Sequence, residues 1–280
     1  MRATAISFAQ HRHPGSGAGA RIITGVLLLA ALVIAAQIVS DSASHTDFSA
    51  RLAPPDAAHW FGTDVLGRDL FARTLQGLLL SLGVGAAAAG LGTLVALGLA
   101  ALSTLNRSCD VVVGLLVDSV LGLPHFVLLL LIAFALGGGT QAVILAVALI
   151  HWPSLSRLLR AEIRQTLNAD YVRLSRHLGK SRLFILYRHV LPHLLPQCLV
   201  GCLLLFPHAI LHEAALTFLG FGLTPGQPAI GVLLADAMRY VSAGYWWLGV
   251  FPGLGLLLLV LTFGRLADGL RHLTFSRVRS

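Results

Sequence analysis

Six side chains that can exchange protons or bind metal ions sit within otherwise apolar runs: Asp118, His125, His151, His208, His212 and Glu213. Polar groups in such runs are costly to bury and usually face a partner or a water-filled path. His208 and His212 lie one helical turn apart, with Glu213 beside them. Imidazoles and a carboxylate at that spacing suit transient contact with a Ni²⁺-type cation or an anionic chelate. The competing reading is that each group bonds to a neighbouring helix.

Other fragments look chemical but are incomplete. Gly179-Lys180-Ser181 ends like a phosphate-binding loop, yet Leu174 stands where the further glycine is required, and no strand precedes it. His212-Glu213 begins like a zinc-protease helix, but Leu216 replaces the second histidine. Cys109, Cys198 and Cys202 form no disulfide framework. Cys198 and Cys202, one turn apart in an apolar run, read as packing residues, because metal ligation needs more partners. No paired carboxylates or Ser/His/Asp set share a plausible pocket, so the chain does not read as an enzyme.

The elements that must position these groups are membrane helices. Of 280 residues, 56% are hydrophobic and 11% charged, against about 25% charged in soluble domains. A span needs about 20 largely apolar residues. Six candidates cover 22–39, 78–102, 111–136, 142–158, 197–219 and 246–263, giving an all-α polytopic membrane protein. The first run follows Arg2, Arg12 and Arg21 as a cleaved signal would. Its length, and the five spans after it, favour a retained helix.

The net charge of +8 is spread along the chain rather than gathered on a soluble face, so it argues for orientation rather than nucleic-acid binding. With the N-terminus in the cytoplasm, sixteen of the twenty Lys and Arg residues fall on the cytoplasmic side. The opposite face keeps Arg51, Arg68, Arg73 and Arg239. The positive-inside rule then predicts that both termini are cytoplasmic. The expected organisation is an N-terminal part with the first helix and an outer segment (1–77), a five-helix core (78–268) with an inner loop at 159–196, and a short tail (269–280).

That loop contains "DYVRLSRHLGKSRLFILYRHVLPHLLP", residues 170–196. Asp170 at a helix start suits the free amides there. Tyr171, Leu174 and Leu178 form an apolar stripe beside Arg173 and Arg176. Gly179 is a natural stop, and a second helix is expected over 182–190. The residues alone leave open whether this basic element lies on anionic lipid or docks on a protein.

The spacing Gly179-x9-His189-x-Leu191-Pro192 resembles the cytoplasmic loop of the inner-membrane permeases of bacterial binding-protein-dependent ABC importers. In that family the pattern is Glu-Ala-Ala-x3-Gly-x9-Ile-x-Leu-Pro. Here Arg173-Leu174-Ser175 replaces Glu-Ala-Ala and His189 replaces Ile, as in the peptide and nickel branch, where "DYV" and "HVLP" are usual. "FGTDVLGRDLFAR" (61–73), "ALTFLGFGLTP" (215–225) and "FPGLGLLLLVLTFGRLADGLR" (251–271) resemble further segments of that branch in the same order.

The resemblance implies the type I importer permease fold in the bacterial inner membrane. It also implies a homologous second permease chain, two ABC ATPases that use ATP and Mg²⁺, and a periplasmic or lipid-anchored substrate-binding protein. No cofactor is expected on this chain. The implied ATPase contact is Asp170, Tyr171, Val172, Arg173, Leu174, Ser175, Arg176, Gly179, His189, Leu191 and Pro192. "HAILHEAALTFLGFG" (208–222) resembles the nickel-import second permease, which carries His-x3-His before Phe-Leu-Gly. The expected cargo is therefore nickel or a metal–metallophore complex. The alternatives are a dipeptide or oligopeptide importer permease and a stand-alone secondary transporter.

Overall fold

The computed structural model describes residues 16–224 and 226–276. Arg2, Arg12, Pro225, Arg277 and Arg279 lie outside the described residues. Eleven α-helices carry the described chain, with no β-strand among those residues. In order they are α1 (Ser16–Ile38), α2 (Ser40–Ser44), α3 (Leu70–Leu102), α4 (Arg107–Leu121), α5 (His125–Ala135) and α6 (Gly139–Leu167). Then follow α7 (Asp170–His177), α8 (Arg182–Ile185), α9 (Leu191–Phe218), α10 (Ile230–Tyr240) and α11 (Trp247–Ser276).

Five helical stretches are long and apolar enough to cross a membrane: Gly17–Ile38, Leu70–Leu102, Gly139–Leu167, Arg182–Phe218 and Trp247–Leu273. The expected third span, 111–136, is not one straight helix. It is the pair α4 and α5, bent by 96°. Gly122-Leu123-Pro124 makes the break: a glycine ends α4, and Pro124, which cannot donate a backbone hydrogen bond, precedes α5. Only by counting the pair as one does the total reach six.

Helices without water between them meet through small residues that let backbones approach. In α3, Ala88, Gly92, Ala96 and Ala100 recur every fourth residue and are buried. A Cβ on Gly92 would stand 3.3 Å from the Ala148 carbonyl oxygen of α6. A second stripe, Ser81, Gly85 and Ala89, is also buried, and a Cβ on Gly85 would meet Ile210 of α9. One turn before Ile210, Phe206 stacks on Phe263 of α11 at 4.0 Å between ring centres. Helix α10 fills the space between α9 and α11, and α1 packs along α11.

The second span begins earlier than expected, because α3 starts at Leu70. Asp69 caps it, accepting the Ala72 amide at 2.8 Å. The preceding segment is a folded strap built on Asp64. Its carboxylate accepts the Leu66 and Arg68 amides and the guanidinium groups of Arg68 and the buried Arg73. At the other end α6 continues to Leu167, beyond the expected limit of 158, and carries Arg157, Arg160 and Arg164 as helical residues.

Glu213 has no exposed surface. Its two oxygens accept the Ser81 hydroxyl of α3 at 2.6 Å and the Thr217 hydroxyl at 3.0 Å. The Thr217 hydroxyl in turn accepts the Leu223 amide at 3.2 Å, tying the turn after α9 to the same group. Removing one member strands the others in an apolar interior, which costs about 1–3 kcal/mol. Glu213→Ala is therefore expected to lower the thermal midpoint of the detergent-solubilised protein by several degrees, and Glu213→Gln by less. Equal midpoints for wild type and Glu213→Ala would show that the network does not hold α3 to α9.

Candidate functional site

Two places gather the residues singled out by sequence. The first is the turn between α6 and α9. Helix α7 ends in a left-handed glycine, Gly179 at φ +75°. The Lys180 amide returns to the Ser175 carbonyl and the Gly179 amide to the Arg176 carbonyl, a Schellman closure. Ala169, not Asp170, occupies the N-cap and offers no side-chain bond. Asp170 thus contributes charge to the first turn rather than a cap.

The expected second helix over 182–190 is also modified. Ser181 caps α8 through the Phe184 amide, and 186–190 forms a π-turn that runs straight into α9. Leu191 and Pro192 are the first residues of α9 rather than a break before it. Pro192 follows the π-turn directly, inside the continuous helical stretch Arg182–Phe218, where it cannot donate a backbone hydrogen bond.

The faces of this element divide cleanly. Val172, with 0% exposure, together with Ile185 and Val190, is buried against Leu159, Ile163 and Leu194. Tyr171 and Leu174 are 51% and 60% exposed, and Leu178 and Tyr187 are exposed beside them. His189 clasps the two limbs: its Nε2 lies 3.0 Å from the Ser175 hydroxyl, and its ring packs 5.6 Å from Tyr171. Arg173 and Arg176 are exposed. Arg182 donates to the Leu105 carbonyl at 2.7 Å, fixing the limb to the α3–α4 turn. Beside it lies a cavity of about 430 Å³ bordered by Arg107, Arg176, Lys180 and Arg182.

The second place lies deeper along the helices. His125 at the start of α5, His151 of α6 and His212 of α9 bring their rings to 4.9–5.1 Å of one another, each pair edge to face. One ring nitrogen from each falls within 4.8 Å of the others. His151 is 8% exposed. Its Nδ1 lies 2.8 Å from the Val147 carbonyl, so Nδ1 carries the proton and donates. His212 Nδ1 donates likewise to the His208 carbonyl at 2.7 Å.

The other predicted polar residues do not join this group. His208 stays exposed, with its ring 6.3 Å from His151 and its Nδ1 on the Leu204 carbonyl. Glu213 points the opposite way, into its hydroxyl network. Asp118 forms a surface ion pair with Arg157 at 2.7 Å. The expected pair His208 and His212 is thus replaced by a trio in which His212 alone is shared. The trio was missed because α4 and α5 read as one straight helix; Gly122 and Pro124 just before His125 were the signal.

Comparison with known proteins agrees with this architecture. The family described as binding-protein-dependent transport system inner membrane component matches residues 72–280. The dipeptide transport system permease protein DppC of Alkalihalophilus pseudofirmus is 34% identical over 265 residues, covering 94% of this chain and 86% of that protein. The probable D,D-dipeptide transport system permease protein DdpC of Escherichia coli is 33% identical over 249 residues, covering 89% and 83%. Among solved structures, the crystal structure of an amino acid ABC transporter with histidines superposes with a TM-score of 0.57 at 20% identity. That match covers 71% of this chain and 92% of the other, and it establishes the fold.

The clasp at His189 is open to test by hydrogen exchange. Removing its hydrogen bond to Ser175 costs about 1 kcal/mol. In His189→Ala, amides of 170–178 should exchange about fivefold faster than in wild type, with α3 and α11 unchanged. Unaltered exchange in that segment would mean that the His189–Ser175 bond does not hold α7.

Proposed function

The chain belongs to the binding-protein-dependent transport system inner membrane component family, and we propose that the importer it serves carries dipeptides or short oligopeptides. As a member it is a multi-pass permease subunit of an ABC importer in the bacterial inner membrane, a transport component that works with ATPase subunits and a substrate-binding protein. The observation that carries the cargo is the naming of relatives one-third identical over about nine-tenths of the chain for dipeptide transport. This moves the cargo away from the expected nickel or metal–metallophore complex. The His-x3-His spacing behind that expectation does not by itself gather two ligands: the grouped ring nitrogens are those of His125, His151 and His212, and the His208 ring lies at 6.3 Å from His151.

In this reading the chain forms half of a pathway completed by a homologous permease. Both termini face the cytoplasm, so that the basic turn at 170–190 lies on the ATPase side. Two features support ATPase docking there. Tyr171, Leu174 and Leu178 form an exposed apolar stripe rimmed by arginines, the composition of an anchor with a polar rim. Behind it, Val172 is buried, so a push on the stripe meets packed helix ends rather than a floppy loop.

Reconstitution with both permeases, the ATPases and the binding protein tests the proposal. ATP-dependent uptake of a labelled dipeptide is expected, with no uptake of free Ni²⁺ above the protein-free level. The reverse pattern would overturn the peptide reading. Tyr171→Asp combined with Leu174→Asp should lower uptake at least about tenfold, because charge in a docking anchor costs more than 1.4 kcal/mol. Membrane insertion should be unchanged. Full coupled uptake by that variant would remove the docking role from this stripe.

A further inference from the structure

From the side chains of three helices, we propose that His125, His151 and His212 form a binding site for a late first-row divalent cation such as Zn²⁺, Ni²⁺ or Co²⁺. One coordination position stays open toward the exposed side at His125. The site goes beyond the peptide reading and does not depend on it.

Three observations converge. One ring nitrogen of each histidine falls within 4.8 Å of the other two. In His151 and His212 the Nδ1 proton is committed to a backbone carbonyl one turn back. That bond fixes the tautomer and leaves the Nε2 lone pair as the ligand, which is how metal-binding imidazoles are oriented in proteins. The His151 Nε2 atom is fully buried and has no hydrogen-bond partner among the described residues. An unpaired buried acceptor is costly, and a cation shared with His125 and His212 would satisfy it.

The chemistry of the donor set selects the ion. Neutral imidazoles favour Zn²⁺, Ni²⁺, Cu²⁺ and their neighbours over Mg²⁺ or Ca²⁺, which want oxygen. No carboxylate belongs to the grouped donors among the described residues. Glu213 is engaged by Ser81 and Thr217, and Asp118 by Arg157. A tetrahedral ion with bonds of about 2.0 Å needs nitrogens about 3.3 Å apart. Starting from separations of at most 4.8 Å, the nitrogens must close by up to about 1.5 Å. His125, exposed at a helix start after Pro124, and the half-buried His212 have room to do so. Three protein ligands leave a fourth place for water or for an amine or carboxylate of a small chelating ligand.

The site is tested with Co²⁺ as an optical probe on the untagged full chain in detergent, apart from any transport assay. Wild type is expected to bind one Co²⁺ per chain with the visible ligand-field bands of a low-symmetry nitrogen site, and Zn²⁺ should displace it. His125→Ala removes an exposed ligand without opening the core. Its affinity should fall at least about tenfold, since even indirect perturbation of metal ligands costs about 10–100-fold. His212→Ala should behave likewise, while His208→Ala should bind as wild type. Each variant is compared at matched elution volume and helicity. No Co²⁺ bands in wild type, or bands that survive both His125→Ala and His212→Ala, would overturn the site. Peptide uptake is a separate readout: its absence would refute the peptide reading and leave Co²⁺ binding untouched.

Discussion

A carboxyl group with no contact to solvent sits where three parts of the bundle meet, and its demand for donors sets the geometry around it. Glu213 projects from α9 toward Ser81 of α3 and draws in Thr217, whose hydroxyl then accepts the Leu223 amide. The turn so fixed presents the Gly222 carbonyl to the Gly139 amide at 2.9 Å, at the start of α6. One buried acid thus orders α3, α9 and the entry of α6. Successive helical residues point about 100° apart, so fixing Glu213 toward α3 turns His212 toward α5 and α6. The histidine trio follows from that rotation as much as from its own contacts.

Such a network works only if the helices can approach closely, and α3 is built for this. Its two small-residue stripes face different neighbours, Ala88-Gly92-Ala96 toward α6 and Ser81-Gly85-Ala89 toward α9. With no hydrophobic driving force between helices in lipid, close packing and interhelical hydrogen bonds carry the association. A larger side chain at Gly92 would push against the Ala148 backbone, which cannot swing aside as a rotamer can. Bulk is tolerated instead on the α9–α11 side, where Phe206 and Phe263 stack.

Much of this was legible in sequence because lipid imposes length and apolarity on any span. Five of six expected spans correspond to continuous helices, and the Gly179 stop appears as the expected left-handed closure. The ends of α3 and α6 were not legible, because helix beyond the apolar run looks like loop when judged by hydropathy. Arg160 and Arg164 of α6 remain helical by pairing with Asp110 of α4, a partner more than forty residues away. The 96° break between α4 and α5 was hidden for a different reason. Flanking apolar residues on both sides read as one run, although Gly122 and Pro124 carry the signal for a stop. Because that break decides where His125 goes, the trio could not be assembled from spacing alone.

The same two helices carry the exposed stripe and the histidine trio. From His151, α6 runs on to Leu167, about 24 Å at 1.5 Å per residue, and ends at the turn whose α7 exposes Tyr171 and Leu174. From that turn α9 runs back to His212. Spatial continuity is not coupling in itself, which requires an element with two arrangements. Proline supplies the means: Pro153 lies in α6 just beyond His151, and Pro196 and Pro207 lie in α9 between the turn and His212. Each removes a backbone hydrogen bond and locally frees the helix to bend. A rigid turn, packed through Val172, would drive α6 and α9 about these points, and the spacing of the three imidazoles would change with the bend. At the proposed cation site, such a bend would alter the distances between His125, His151 and His212.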